Sequence, residues 1–453
     1  MKLFFLLSLA ALVCLSFIAS ATKPRPIDPS KTRLTWSSDD NPRRQPQIDP
    51  FNALHPNLHL ELDPNSTEME KVIVQSIAGV GPDLFDCWSG FSLSAFVKAG
   101  IAWDVTDELK KMGIDVIGET WPAVQLCAVY EGRVYGFPVN AAVNGLWFHK
   151  DLLAEAGVTL PRGAWTWEEA IPIFRKLIKR DARGKIIRYG LVFDWENNYL
   201  QFIYQWGGRM YTPDGTRCAL DSPEAIAAVQ FMQDLMLKHE VSPSAAAEAA
   251  MNTAGGWGSS GAGAIALFGA QRATTALGGR WWLCRLRDRD YAHLQLGAVE
   301  PPHGRIRTFV GYGKATLINR NSPRRYEALK FLAYMHSEPY NRLINHQADG
   351  LGPVMKYTED DAFLHDPAFP KEDFNHVWRD LQRVAVPEQV SPFMNGAVLQ
   401  RLINAQLDLV KSGDKTPAAA MRDATRKVNE RIEENLRQNP DLREQWIRLT
   451  SKT

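Results

Sequence analysis

LHLEL (58–62) alternates apolar and polar residues, the period-two pattern of a half-buried strand. LTWSS (34–38) reads as a first strand, and SSDDNPRRQP (37–46) as a polar loop rather than a helix start. STEMEKVIVQSIAG (66–79) changes to helical spacing, with Ser66 or Thr67 in the cap position, acids behind it and Gly79 closing it. GPDLFDCW (81–88) returns to a strand that ends on an aromatic. This β–α–β rhythm predicts an α/β fold with a mixed or parallel sheet covered by helices.

The same grammar continues with more helix. WTWEEAIPIFRKLIKR (165–180) opens at Thr166, with Glu168 and Glu169 in its first turn and basic residues at its end, both suited to the helix dipole. RYGLVFD (188–194) is a strand, and SPEAIAAVQFMQDLMLKHE (222–240) an amphipathic helix with Ser222 as cap and Pro223 in its first position. HLQLGAVEPP (293–302) is a strand ending in prolines, and SPRRYEALKFLAYMHS (322–337) repeats the Ser-Pro helix start. From TPAAAMRDATRKVNERIEENLRQ (416–438) onward the pattern is helical with a charged, solvated face.

A chain of 453 residues holds two or more units at roughly 100–200 residues each. Its formal net charge of +1 steers it toward neither nucleic acid nor a membrane surface. Fourteen Trp invite a search for an aromatic-lined site. The first 21 residues have one Lys, a long apolar stretch and the ending Ala19-Ser20-Ala21, a secretory signal peptide cut after Ala21. An uncleaved anchor is the alternative, and Val13 before Cys14 argues against a lipoprotein. A Pro-rich leader follows over 22–32. Export permits disulfides among Cys87, Cys127, Cys218 and Cys284, but their wide spacing leaves pairing and buried free thiols equally open.

Motifs for chemistry are missing. GWGSSG (256–261) fits Gly-x-Gly-x-x-Gly, yet it follows an Ala-rich helical stretch and no acid stands about twenty residues on, so it reads as a loop. The sequence holds no phosphate loop, His-Glu-x-x-His or Gly-x-Ser-x-Gly, and the scattered His residues suggest no metal site. No cofactor is expected. Aromatic and amide residues instead gather where strands end: Trp36 to Asp39, Cys87 to Phe91, and FDWENNYLQFIYQWGG (193–208). In open α/β sheets ligands bind beyond the carboxyl ends of strands.

GPDLFDCWSG (81–90), YGFPVNAAVNGLWFHKDLLAEAGV (135–158), WTWEEA (165–170), WGGRMYTPDG (206–215), GAIALFG (263–269), FVGYGKATLINR (309–320), EALKFLAYM (327–335) and GLGPV (350–354) follow one another in a familiar order. In that order the chain resembles the extracellular solute-binding proteins of family 1, the carbohydrate receptors of ABC importers. The resemblance implies a two-lobed periplasmic-binding-protein-like fold (type II) with a ligand cleft between lobes joined by crossing strands. Lobe I would comprise 33–139 plus 300–345, and lobe II 140–299 plus 346–453. Phe137 to Asn144 would be the first crossing and Gly297 to Pro302 the second.

Carried over by position, the resemblance implies ligand contacts from Ser37, Ser38, Asp39, Trp88, Phe91, Asn140, Asn144, Trp195, Asn197, Arg272, Tyr312 and Phe393. Phe91, Phe148, His149 and Met394 depart from the family pattern, which bears on the ligand rather than the fold. A sugar has apolar faces for aromatic platforms and a hydroxyl rim for amides and charged groups. The chain is therefore expected to be an exported, non-enzymatic, monomeric receptor. It would close on a carbohydrate and pass it to ABC permease subunits. Other readings are a sugar phosphate or glycerophosphate held by Arg272, a sensor, or a glycoside hydrolase using carboxylates such as Asp39, Asp194 and Glu196.

Overall fold

The computed structural model describes residues 29–65, 67–251 and 263–451. The signal peptide with its cut after Ala21, Cys14, Ser66 and GWGSSG (256–261) lie outside the described residues. Among the described residues no helix is long and apolar enough to cross a membrane. Cys87, Cys127, Cys218 and Cys284 are buried free thiols.

Strands β1 (Thr32–Ser37), β2 (Leu58–Asp63) and β3 (Leu84–Cys87) alternate with helices α1 (Arg44–Leu54) and α2 (Met69–Ile77). β1 lies parallel to both neighbours, with Trp36 opposite Leu62 and Leu84. The loop expected over 37–46 stops early, because α1 begins at Arg44. Its inward face is Arg44, Gln47, Ile48 and Phe51, a helical spacing whose first two members are polar, so apolar periodicity does not reveal it. α2 starts at Met69 with no side-chain cap, and Gly79 closes the turn at φ 75°. α3 (Gly90–Lys98) follows β3, and Ser89 caps it by accepting from the Ser92 N–H.

β4 (Gly136–His149) is the spine of the molecule. After it come α4 (Trp167–Lys176), β5 (Ile186–Phe193), α5 (Trp195–Gln205), α6 (Pro223–Leu237), β6 (Ala273–Gly279), β7 (Leu296–Val299) and β8 (Val310–Ile318). The capping box of Thr166 and Glu169 opens α4, and Ser222 caps α6. The sheet order is β2-β1-β3-β8-β4-β6-β5, with β7 also on β4. β8 is antiparallel to the first part of β4, from Leu317 opposite Gly136 to Gly311 opposite Val143. β6 and β7 pair with the second part, from Asn144 to His149. The spine therefore changes partners at Val143–Asn144.

The chain returns to the first part of β4 through the segment between β7 and β8. β7 stops at Val299, where Pro301 and Pro302 lack ladder donors, and pairing with β4 resumes at Gly311. α7 (Arg325–His336) has Arg324 in its cap position rather than opening at the Ser-Pro pair, since the Ser322 hydroxyl is bonded to Asp83 instead. α8 (Glu338–Gln347), α9 (Asn375–Val384), α10 (Gly396–Ser412) and α11 (Pro417–Gln438) complete the layers. α11 buries Met421, Val428 and Ile432 beneath its charged face.

Three cores form. One gathers Trp36, Phe51, Leu84, Phe137, Leu317 and Phe331 around β1–β3. A second holds Leu146, Trp167, Phe202, Met232, Phe393 and Met421. A third, with Trp147, Trp282, Phe374 and Trp378, fills the junction beside the spine.

Candidate functional site

A cavity of about 540 Å³ opens where β4 changes partners. Its floor is the two crossing strands, which present Asn140, Ala142 and Asn144 from β4 and Tyr312 to Lys314 from β8. Tyr312 stands between two glycines that permit close packing. A Cβ on Gly311 would meet the Ala123 Cβ at 2.5 Å, and one on Gly313 the Asn140 carbonyl at 2.6 Å.

One wall is an ion-pair network. The register of β8 on β4 shifts between Lys314 and Ala315, an irregularity of the kind that re-aims a side chain beside a site. Lys314 is 1% exposed; its Nζ donates to Ser38 Oγ at 2.7 Å, Asp39 Oδ1 at 2.5 Å and Asp86 Oδ2 at 2.5 Å. Arg44, also buried, bonds Asp39 at 2.8 Å, Asp349 at 2.6 Å and Gln47 at 2.8 Å. Burial works against the charge of Asp39, but Lys314 and then Arg44 outweigh it and hold the carboxyl well below the usual range. Trp88, half exposed at the α3 end of β3, faces this wall with Lys314 Nζ 4.6 Å from its ring centroid.

The other wall comes from the start of α5, from Trp281 after β6, and from the segment that carries Glu388. A hydrogen-bond chain ties it to the floor. The Trp281 indole donates to Tyr312 Oη at 2.9 Å, and that hydroxyl donates to Asn144 Oδ1 at 2.9 Å. The Asn144 amide donates to Asn198 Oδ1 at 3.0 Å, and the Asn198 amide to the Asp194 carbonyl at 2.8 Å. Burial pushes the Tyr312 phenol up to about 12, against the bond from Trp281. Below the wall, burial and the neighbouring Glu248 push Asp194 up to about 6, although its carboxylate accepts from the Ala264 N–H.

Of the residues implied from sequence, Asp39, Trp88, Asn140, Asn144, Asn197 and Tyr312 line this one cavity. The other six do not. Ser37 and Ser38 are buried, and Ser38 acts behind the wall on Lys314 and Asp86. Phe91 lies partly buried in the first turn of α3. Trp195 is stacked on Phe193, with centroids 6.3 Å apart, inside the second core. Phe393 is wholly buried in that core, where apolar packing claims the ring. Arg272 is exposed and precedes β6 at the end away from Asn144, roughly 20 Å along the strand at about 3.3 Å per residue.

Sequence reasoning missed Arg44, Lys314, Asp349, Tyr199, Trp281 and Glu388, all of which line the cavity. Lys314 carried a signal, being a lone charge inside the apolar strand VGYGKATLI. Tyr199 and Trp281 sit in aromatic-rich stretches, and Asp349 and Glu388 carry no local mark.

The sequence pattern of the bacterial extracellular solute-binding proteins matches residues 37–342. The putative ABC transporter periplasmic-binding protein YcjN of Escherichia coli is 29% identical over 106 residues, 22% of this chain and 23% of that protein. The arabinooligosaccharide-binding protein of Halalkalibacterium halodurans is 26% identical over 111 residues, 24% of each chain. The chain thus spans about a quarter of the length of these two curated relatives. In fold it is similar to the ABC substrate-binding protein Lmo0181 from Listeria monocytogenes, solved in complex with cycloalternan. The TM-score is 0.72 at 19% identity, covering 88% of this chain and 98% of that one. With the family pattern running through both crossing strands and most of the cavity, the chain belongs to the bacterial extracellular solute-binding proteins.

Proposed function

We propose that the protein captures a carbohydrate between its lobes and delivers it to the membrane subunits of an ABC importer. The observation that carries this reading is the composition of the cavity. Trp88, Trp281 and Tyr312 offer rings for the apolar faces of a sugar, and Asn140, Asn144 and Asn197 stand beside them for its hydroxyls. The names of the relatives support it, one being an arabinooligosaccharide-binding protein and another a structure holding cycloalternan. The moving bodies would be 33–139 plus 300–345 and 140–299 plus 346–453, hinged along β4 between Phe137 and Asn144 and along the segment leading into β8. Ligand touching both walls favours the closed state by its differential contacts.

The phosphate reading loses its support. Arg272 stands outside the cavity, and the cations that do line it, Arg44 and Lys314, are already engaged by Asp39, Asp86 and Asp349. A binding role is favoured over glycoside hydrolysis because the family pattern that matches residues 37–342 is that of solute-binding proteins.

Equilibrium titration of the mature protein with neutral oligosaccharides, sugar phosphates and polyols tests the reading. Binding of a neutral saccharide that persists at high salt is expected. Binding of phosphates alone, weakening as salt rises, would replace the sugar with an anion.

A further inference from the structure

Glu388 lines the cavity and has no hydrogen-bond or ion-pair partner among the described residues. It follows the two-residue strand Val386–Pro387, which pairs with Val310 and Gly311 at the start of β8, so it is fixed beside the hinge. Tyr199, Tyr204, Tyr211 and Cys127 feel its charge, and burial pushes each of them up and keeps it neutral. Burial also raises the carboxyl of Glu388 itself. An unpaired carboxylate in such surroundings is costly until something brings it donors.

The rest of the lining shows what those donors would be. Among the described lining residues, Asp39, Asp349, Glu196 and Glu388 face the cavity against Arg44 and Lys314, and both cations are held within the first wall. Glu196 receives one amide, from Asn404 at 3.0 Å. Among the described lining residues the second wall therefore carries carboxyl groups without a cation, together with Trp281. Carboxylate and aromatic faces are the two groups that recognise an ammonium in a partly desolvated site.

We propose that Glu388 is a specificity-determining residue that pairs with a cationic group on the ligand, so that the preferred saccharide carries a free ammonium. This rests on the carbohydrate reading above and names the substrate class within it. An acetylated amine would forfeit the charge, and a phosphate would meet the uncompensated carboxylates.

Calorimetric titration with matched saccharides tests it. Each sugar, from mono- to tetrasaccharide, is offered with hydroxyl, free amine or N-acetylamine at one carbon. The free-amine form is expected to bind at least about tenfold more tightly than its partners, with a preference that shrinks as salt is added. In Glu388→Gln, the free-amine form should lose about tenfold more affinity than the hydroxyl form, while Glu388→Asp retains part of the preference. Equal or tighter binding of the hydroxyl or acetyl form overturns the inference and leaves the carbohydrate reading standing. A preference that survives in Glu388→Gln overturns the assignment to this residue. If no saccharide binds in any form, both readings fall together. The melting temperature of each variant shows whether it is folded.

Discussion

On the wall formed by Asp39, Arg44 and Lys314, the charged groups are partnered within the chain, and Ser38, Asp86 and Asp349 complete the set. On the facing wall, Glu388 has no partner among the described residues and Glu196 has one amide. The first wall is finished before ligand arrives, and its polar groups hold one geometry. The second keeps polar capacity in reserve, which a ligand can satisfy. Preorganisation on one side and unmet valence on the other divide affinity from selectivity.

The sharpest break in this contrast is Lys314→Met. It leaves Asp39 and Asp86 without their shared cation, and removing one partner from a buried set costs about 3–5 kcal/mol. Denaturant unfolding should show that loss as a lower midpoint.

A smaller effect separates the walls by pH. The Asp39 carboxyl is depressed, so its contribution is present above the ordinary carboxylate pKa and is lost as pH falls below it. Asp194, beneath the second wall, is raised to about 6, so between about pH 6 and 4 the folded state binds the extra proton. Stability from Asp194 therefore grows as pH falls through that window. Asp194→Asn should be more stable than the wild type by roughly 2 kcal/mol at pH 8, with the gap closing by pH 4. His149, lowered to about 4 by burial, works in the opposite direction, so the comparison is read from the difference between the two proteins.

Asn144→Ala cuts the chain that links Tyr312 to Asn198 and should cost about 1–2 kcal/mol in the same unfolding measurement. The smallest effect belongs to Glu388→Gln. Removing a charge that has no partner should leave stability within about 1 kcal/mol of the wild type or raise it slightly. A loss as large as that of Lys314→Met would erase the distinction between the walls.

Much of this architecture was legible in the chain because it is written in short-range patterns. Period-two runs marked β2, and Ser or Thr caps marked α4 and α6. β4 was visible as a long apolar run that carries two asparagines. α1 was obscured because half of its buried face is Arg44 and Gln47, held by ion pairs and hydrogen bonds rather than by apolar burial. The first wall could not be assembled from spacing, since residues 38, 39, 86 and 314 meet only through strand pairing. Arg272 and Phe393 show the converse. Their positions in the family order were plausible, but strand direction carries Arg272 away from the cavity and core packing withdraws Phe393.

The most direct measurement is thermal unfolding of the protein and of Trp88→Ala across a saccharide series. Trp88 is half exposed, so its loss alone should change the melting temperature little. Ligand bound only to the folded state must raise that temperature with concentration. The account predicts a rise for the wild type that largely disappears in Trp88→Ala. A full rise in the variant would place the sugar elsewhere and contradict the claim that it is held in the cavity between the lobes.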